Sequence, residues 1–281
     1  MLIAITCVSY IWSGGLKAVI RTDIFQFSLM FSGFALLLFY SAQFSNFSVE
    51  IFKSLPSNLF HPTGGASIQY IAAWVFIALW TFVDPGFYQR CAAAKSPRTA
   101  RHGILLSVCF WLIFDMLTLF SGLYGRALLS DIDPSLSYLK LAELVLPQFA
   151  IGIFFIGMLS VIMSTIDSLT FIGATTFGRD IMWRIQNTQG TKNISVQDTA
   201  VPFVRKGLLV TVLISLMIAL SIPSVVQIWY ILGSIIVPGL LLPFLMSFSK
   251  AKLDVITMMI APLIVSILWI INKNIFGVYP L

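Results

Sequence analysis

The chain has 281 residues, of which 58% are apolar and only 10% charged, with a mean hydropathy of +0.95 and a formal net charge of +6. Soluble domains carry about 25% charged residues, so a water-soluble fold of this length would lack the polar surface to cover its core. A bilayer removes that conflict. The basic excess sits in short segments between apolar runs, which favours membrane topology and argues against nucleic-acid binding.

A spanning helix needs about 20 mostly apolar residues. Eight runs read as spans, at 1–13, 22–42, 67–84, 103–124, 147–176, 207–223, 224–248 and 253–272. The expectation is an all-α membrane protein of about eight transmembrane helices, forming one helical domain over 1–281. The first run is short and has neither a basic n-region nor a small-residue cleavage site, so it reads as a helix cut off at its start rather than a signal peptide. The sixth and seventh runs divide at Ser221-Ile-Pro-Ser224, where Pro223 starts a new helix. Residues 185–200 form a hydrophilic loop, and the segment from 43 to 66 is long and mixed.

Thirteen of the 17 Lys and Arg residues fall after odd-numbered runs (Lys17 and Arg21; Arg90, Lys95, Arg98 and Arg101; Arg179, Arg184, Lys192, Arg205 and Lys206; Lys250 and Lys252). The other side holds Lys53, Arg126, Lys140 and Lys273, so the first set faces the cytoplasm. Tyr10, Trp12, Tyr70, Trp74, Tyr124, Trp183 and Trp229 lie near run ends, as interfacial anchors do. Cys7, Cys91 and Cys109, with His61 and His102, have neither disulfide-framework nor zinc-site spacing.

Polar groups at mid-membrane depth are costly and therefore functional candidates. In the fifth run, Ser160, Ser164, Asp167 and Ser168 share a helix face, with Thr165 on its flank. Two readings stand side by side: hard oxygen ligands for a small alkali cation, or small residues that let neighbouring helices pack closely. Asp115, alone in the middle of the fourth run, fits a cation, a cationic substrate, a proton, or a bond to a neighbouring helix. Asp23 follows Thr22 at the start of the second run, where capping is the plain explanation. Gly233, Pro238, Gly239 and Pro243 interrupt the seventh run, which reads either as a broken helix of the kind transporters use or as an ordinary membrane helix, where Pro and Gly are also common. No catalytic triad, nucleotide loop or carboxylate pair appears, which leaves an enzyme reading without support.

Three stretches, in this order, resemble the sodium:solute symporter family: SGGLKAVIRTDIFQF (13–27), DPGFYQRCAAAKSPRTARHG (84–103) and MSTIDSLTFIGATTFGRDI (163–181). The resemblance implies the later part of a five-plus-five inverted-repeat transporter fold, with the eight runs as the fourth to eleventh core helices. It implies sodium as the coupling ion and no other cofactor. The ion would be held by the hydroxyls of Ser164 and Thr165 and the carbonyl of Val161, with Asp23 drawing it toward the cytoplasm. It places Trp80 as an aromatic gate under the substrate. Ile77 and Trp111 stand where the sugar carriers have polar groups, so an amino acid, carboxylate or choline-like solute is expected rather than a sugar. Asp115, Gln227 and Tyr230 are the candidate replacement contacts. The remaining sodium ligands would lie on upstream helices that this chain lacks, so the 281 residues alone are expected not to transport. The partners implied are the lipid bilayer, sodium and a small organic solute, in the plasma membrane. The alternative is a non-transporting scaffold or sensory module that keeps the fold.

Overall fold

A computed structural model describes residues 2–129, 132–187, 196–222 and 224–249, with isolated positions between 254 and 268. The described residues are helical with no strands: α1 Leu2–Phe44, α2 Ile68–Ala78, α3 Pro85–Ala93, α4 Pro97–Leu128, α5 Ser137–Val145, α6 Gln148–Thr175, α7 Arg184–Asn187, α8 Val196–Ser221 and α9 Val225–Met246. Five stretches among them are long and apolar enough to cross a bilayer: Ile3–Phe44, Ile68–Ala93, Pro97–Leu128, Gln148–Asn187 and Thr199–Ser221. The eighth expected run, 253–272, lies largely outside the described residues, as does Pro223.

The helices form two compact units, one from Met1–Leu55 and Ala93–Ser215, the other from Pro56–Ala92 and Leu216–Leu281. In the first unit, α1 is two helices joined at Gly15, whose φ of 55° and ψ of −146° are open to glycine almost alone. The segment 14–21, expected as a loop, is therefore helical on either side of a one-residue break. Both limbs pack along α6. Gly15 lies beside Phe171, and Tyr10, from the first limb, and Gln26, from the second, both reach Asp167. Further along the second limb, Leu29 and Gly33 meet Gly157. The chain thus reverses at Gly15, and residues 16–44 run antiparallel to α6.

Inside lipid the hydrophobic effect does not pull helices together, so close backbone approach and dispersion must do so. A Cβ on Gly157 would stand 2.8 Å from the Leu29 carbonyl oxygen, and one on Gly178 would stand 2.3 Å from the Phe203 carbonyl oxygen. Gly157 sets the α1–α6 separation, and Gly178, in the π-helical turn Thr176–Trp183 that follows α6, sets the approach of that turn to α8. A second cluster closes the other end: Phe34, Leu37, Tyr124, Leu141, Ala142 and Phe154 are buried together. It includes α5, a nine-residue helix in a segment expected to be a plain connection. Its Tyr138 hydroxyl donates to the Thr118 carbonyl at 3.1 Å. Tyr124, expected as an interfacial anchor, is part of this core.

Beyond Thr175 the fifth run continues as a π-helix over Thr176–Trp183 and then as α7. Of the hydrophilic loop expected at 185–200, residues 188–195 lie outside the described residues, while 196–200 already belong to α8.

In the second unit, the third run is not one helix. α2 gives way to a 3-10 turn at Leu79–Phe82, and α3 begins afresh at Pro85. Residues before proline avoid helical geometry, and Asp84 caps the new helix by accepting a bond from the Gly86 N–H at 2.6 Å. The seventh run, open to a broken-helix reading, is the continuous helix α9. A membrane helix tolerates internal Pro and Gly when neighbouring groups resatisfy its backbone. Ile77 packs on Gly233, where an added Cβ would meet its Cγ2 at 3.0 Å.

Candidate functional site

The middle of α6 gathers the polar groups. Ser164, half-buried, donates to the Val161 carbonyl at 3.2 Å, and Thr165, exposed, donates to the same oxygen at 3.0 Å. Three neutral oxygens therefore meet within one turn. A hydroxyl that donates keeps two lone pairs, and a carbonyl keeps capacity beyond its hydrogen bonds. This is a hard-oxygen surface suited to an alkali cation. It is also a partial one, since such ions take about six ligands.

One turn on, Asp167 is fully buried and accepts bonds through Oδ2 from the Tyr10 hydroxyl and from Gln26 Nε2, the latter at 3.3 Å. Its Oδ1 and the Gln26 Oε1 are buried with no protein partner. Fully buried Cys7 adjoins the pair. Asp167 was legible as a polar position on the α6 face. Tyr10 and Gln26 were not linked to it, and Tyr10 in particular is no interfacial anchor but the donor to this carboxylate. Composition gives no signal for a pairing across 157 residues of sequence.

Asp23 sits on the second limb of α1, one turn before Gln26. The helix resumes directly after Gly15, so Asp23 lies two turns inside it and is not a cap. On the antiparallel limb Asp23 falls between Gly15, which lies beside Phe171, and Gln26, which reaches Asp167, so its level on α6 is past Asp167 rather than at the turn of Ser164 and Thr165. Trp111 and Asp115 are exposed on α4, along with Leu105, Leu106, Val108 and Leu112. The Asp115 carbonyl accepts from the Thr118 hydroxyl at 3.0 Å.

In the second unit, Trp80 lies in the 3-10 turn between α2 and α3. Its indole Nε1 donates to Asp84 Oδ2 at 3.4 Å. Asp84 thus holds both the gate candidate and the start of α3, a role the sequence reading did not assign it. The Asp-Pro step was the available signal. Ile77 is buried at a helix contact. Gln227 and Tyr230 belong to α9, and their side chains fall outside the described residues.

A profile of the Sodium:solute symporter family matches residues 1–253. The chain is similar to the sodium/pantothenate symporter of Haemophilus influenzae, 27% identical over 189 residues that cover 64% of this chain and 39% of that protein. It is also similar to the sodium/pantothenate symporter of Escherichia coli, 25% identical over 197 residues (67% of this chain, 41% of that protein). A third relative is the sodium-coupled monocarboxylate transporter 2 of Bos taurus, 24% identical over 213 residues (66% of this chain, 34% of that protein). The matched region thus spans about two fifths or less of these relatives' length. No solved structure matches. The family consists of transporters, not enzymes, and its long apolar helices mark an integral, multi-pass protein of the plasma membrane. With a profile match over 253 of its 281 residues, the chain belongs to the sodium:solute symporter family.

Proposed function

We propose that this chain is the sodium-binding and gating part of a symporter that couples sodium entry to uptake of a small organic solute. The observation that carries the reading is the convergence of the Ser164 and Thr165 hydroxyls on the Val161 carbonyl, in a member of a sodium:solute symporter family. Sodium is the coupling ion, held by these three oxygens and by further ligands from outside the described residues. Asp23, whose level on α6 lies past Asp167 in the direction of Phe171, offers a negative way-station toward the cytoplasm.

The solute is a small carboxylate. Two kinds of relative support this: one is named for pantothenate, the other for monocarboxylates, and both compounds carry a carboxyl group. Trp80, held by Asp84, forms an aromatic gate at the break between α2 and α3. Ile77, in the same unit, is packing support against Gly233, and Gln227 and Tyr230 of that unit are candidate solute contacts; Trp111 and Asp115 are separate candidates on α4. The architecture is the later part of a five-plus-five inverted repeat, in which discontinuous helices expose backbone to ion and substrate. The break at Leu79–Asp84 fits that design. Sodium binding favours the outward-open state by differential affinity, and solute binding then allows both to be released inward. No observation favours the non-transporting scaffold reading.

The test is uptake of labelled pantothenate, short monocarboxylates, amino acids, choline and glucose into membrane vesicles, with sodium chloride or N-methylglucamine chloride outside. The chain is assayed alone and together with any residues that precede it in its gene. Sodium-dependent uptake of a carboxylate, lost in Ser164→Ala/Thr165→Ala, is the expected result. Uptake that ignores sodium, or survives the double substitution, refutes the site.

A further inference from the structure

We propose that Asp167 is a positioning residue for the sodium site: clamped by Tyr10 and Gln26, it fixes the rotation of α6 against both limbs of α1 and so aims Ser164 and Thr165. The inference rests on the sodium-site reading above and adds the device that holds the site in register.

Ser160, Ser164 and Thr165 all donate to carbonyls of their own helix. Such bonds travel with α6 and do not constrain its rotation. The glycine contacts at Gly33 and Gly157 set how closely α1 and α6 approach, but smooth glycine surfaces define separation better than azimuth. Asp167 is different. Its Oδ2 accepts from Tyr10 on one limb of the hairpin and from Gln26 on the other. Two donors on opposite sides of Gly15 hold one carboxylate, and a helix held that way cannot turn without breaking a bond.

Asp167 follows Ser164 by three residues and Thr165 by two, so the clamp acts on the turn that carries the hydroxyls. A Cα lies about 2.3 Å from a helix axis and a side-chain oxygen farther out, so a rotation of about 20° moves the hydroxyls by about 1 Å. A ligand displacement of that size is enough to weaken a preorganised site.

The energetics also argue against a purely structural role. A fully buried carboxylate costs desolvation that an apolar side chain of equal volume would not. Here two buried oxygens, Asp167 Oδ1 and Gln26 Oε1, have no protein partner. A cluster selected only for stability would satisfy or remove them.

The experiment is a thermal unfolding titration of the detergent-purified protein, including any residues that precede this chain in its gene. Sodium chloride replaces choline chloride at constant ionic strength. A ligand that binds only the folded state raises Tm, and the titration yields the half-saturating sodium concentration. For Asp167→Ala and Tyr10→Phe that concentration is expected to rise about tenfold, as when the outer partners of an ion site are removed, with the full sodium-induced rise regained at saturation. Asp167→Asn keeps an oxygen that can accept both bonds, and its midpoint is expected to stay within about twofold of the unsubstituted protein. Should Asp167→Ala fail to fold, Tyr10→Phe, which removes only a hydroxyl, carries the same expectation. If the substitutions lower Tm equally at every sodium concentration without moving the midpoint, Asp167 is structural only and the inference falls. If Asp167→Asn loses as much affinity as Asp167→Ala, the charge itself acts and the inference also falls. Absence of any sodium response in the unsubstituted protein refutes the sodium site, and the positioning role goes with it.

Discussion

The glycines along α1, α6 and the π-helix that follows α6 allow the packing to be tested as a graded series of alanine substitutions. A Cβ at Gly152 would meet nothing within 4 Å; at Gly33 it would lie 3.2 Å from the Phe154 Cα; at Gly157, 2.8 Å from the Leu29 oxygen; at Gly178, 2.3 Å from the Phe203 oxygen. All of these obstacles are backbone atoms, so no rotamer change relieves them. Moving Gly178 from 2.3 Å out to the 3.0 Å that real Cβ contacts respect requires a retreat of 0.7 Å by a whole helix. Alanine in an open helix position gains about 0.5–1 kcal/mol over glycine, whereas overpacking costs about 1–3 kcal/mol. Gly152→Ala is therefore expected to stabilise, Gly33→Ala to be near neutral, Gly157→Ala to lose about 1 kcal/mol and Gly178→Ala about 2–3 kcal/mol. Each kcal/mol corresponds to roughly 2–4 °C in a protein of this size. Thermal unfolding of the purified variants in one detergent reads the order directly. Gly178→Ala melting at or above the unsubstituted protein, or Gly152→Ala melting lowest, would refute the proposed helix approach.

Other expectations follow from single positions. Gly15→Ala forces a side chain into a backbone region that costs of order 1–3 kcal/mol, so its Tm is expected to fall by several degrees. Asn46 and Phe47 end α1 with φ of 53° and 55°. Phe47→Gly is expected to relieve about 1 kcal/mol and raise Tm, and a lowered Tm would contradict the left-handed turn. Asp84→Ala removes both the α3 cap and the Trp80 bond. In an uptake assay it should raise the half-saturating solute concentration as well as lower Tm, whereas a change in Tm alone would separate Asp84 from the gate. Burial holds the Tyr138 phenol above its usual 10.0. A raised folded pKa favours the protonated native state, so this stability is complete below pH 10 and is lost as pH climbs through the folded value. Tyr138→Phe is expected to flatten that alkaline loss, and an unchanged alkaline limb in the pH–Tm profile would refute the assignment.

How legible each feature was depended on how far its cause lies along the chain. Apolar runs of 20 residues announce spans on their own, and the division of α8 from α9 near Pro223 followed from local backbone chemistry. The hairpin at Gly15 was half legible. The glycine pair and nearby Lys17 and Arg21 signalled a junction, but a one-residue reversal leaves no loop to see. The break at Leu79–Asp84 hid inside an apolar run, and only Asp84-Pro85 betrayed it. In α9 the same kinds of residue were present and the helix continued, because a helix inside a bundle can lose a backbone bond and recover it from neighbours. Helix α5 is nine residues long and amphipathic, which makes it too short to register among spans of 20. At the candidate site, Val161, Ser164 and Thr165 come from one turn: helical periodicity put Ser164 on the polar face with Thr165 on its flank, and the family resemblance added the Val161 carbonyl. The Tyr10–Asp167–Gln26 cluster was out of reach because it depends on how three helices pack.

The most direct test of sodium-coupled symport is solute-stimulated uptake of radiolabelled sodium into proteoliposomes of the purified protein, including any residues that precede this chain in its gene. The solute used is the one identified by the uptake panel. The expected result is sodium entry that rises when the solute is present on the same side and is abolished by Ser164→Ala/Thr165→Ala. Solute uptake with no accompanying sodium flux, or a sodium flux untouched by the double substitution, would contradict coupling through the α6 hydroxyl pair.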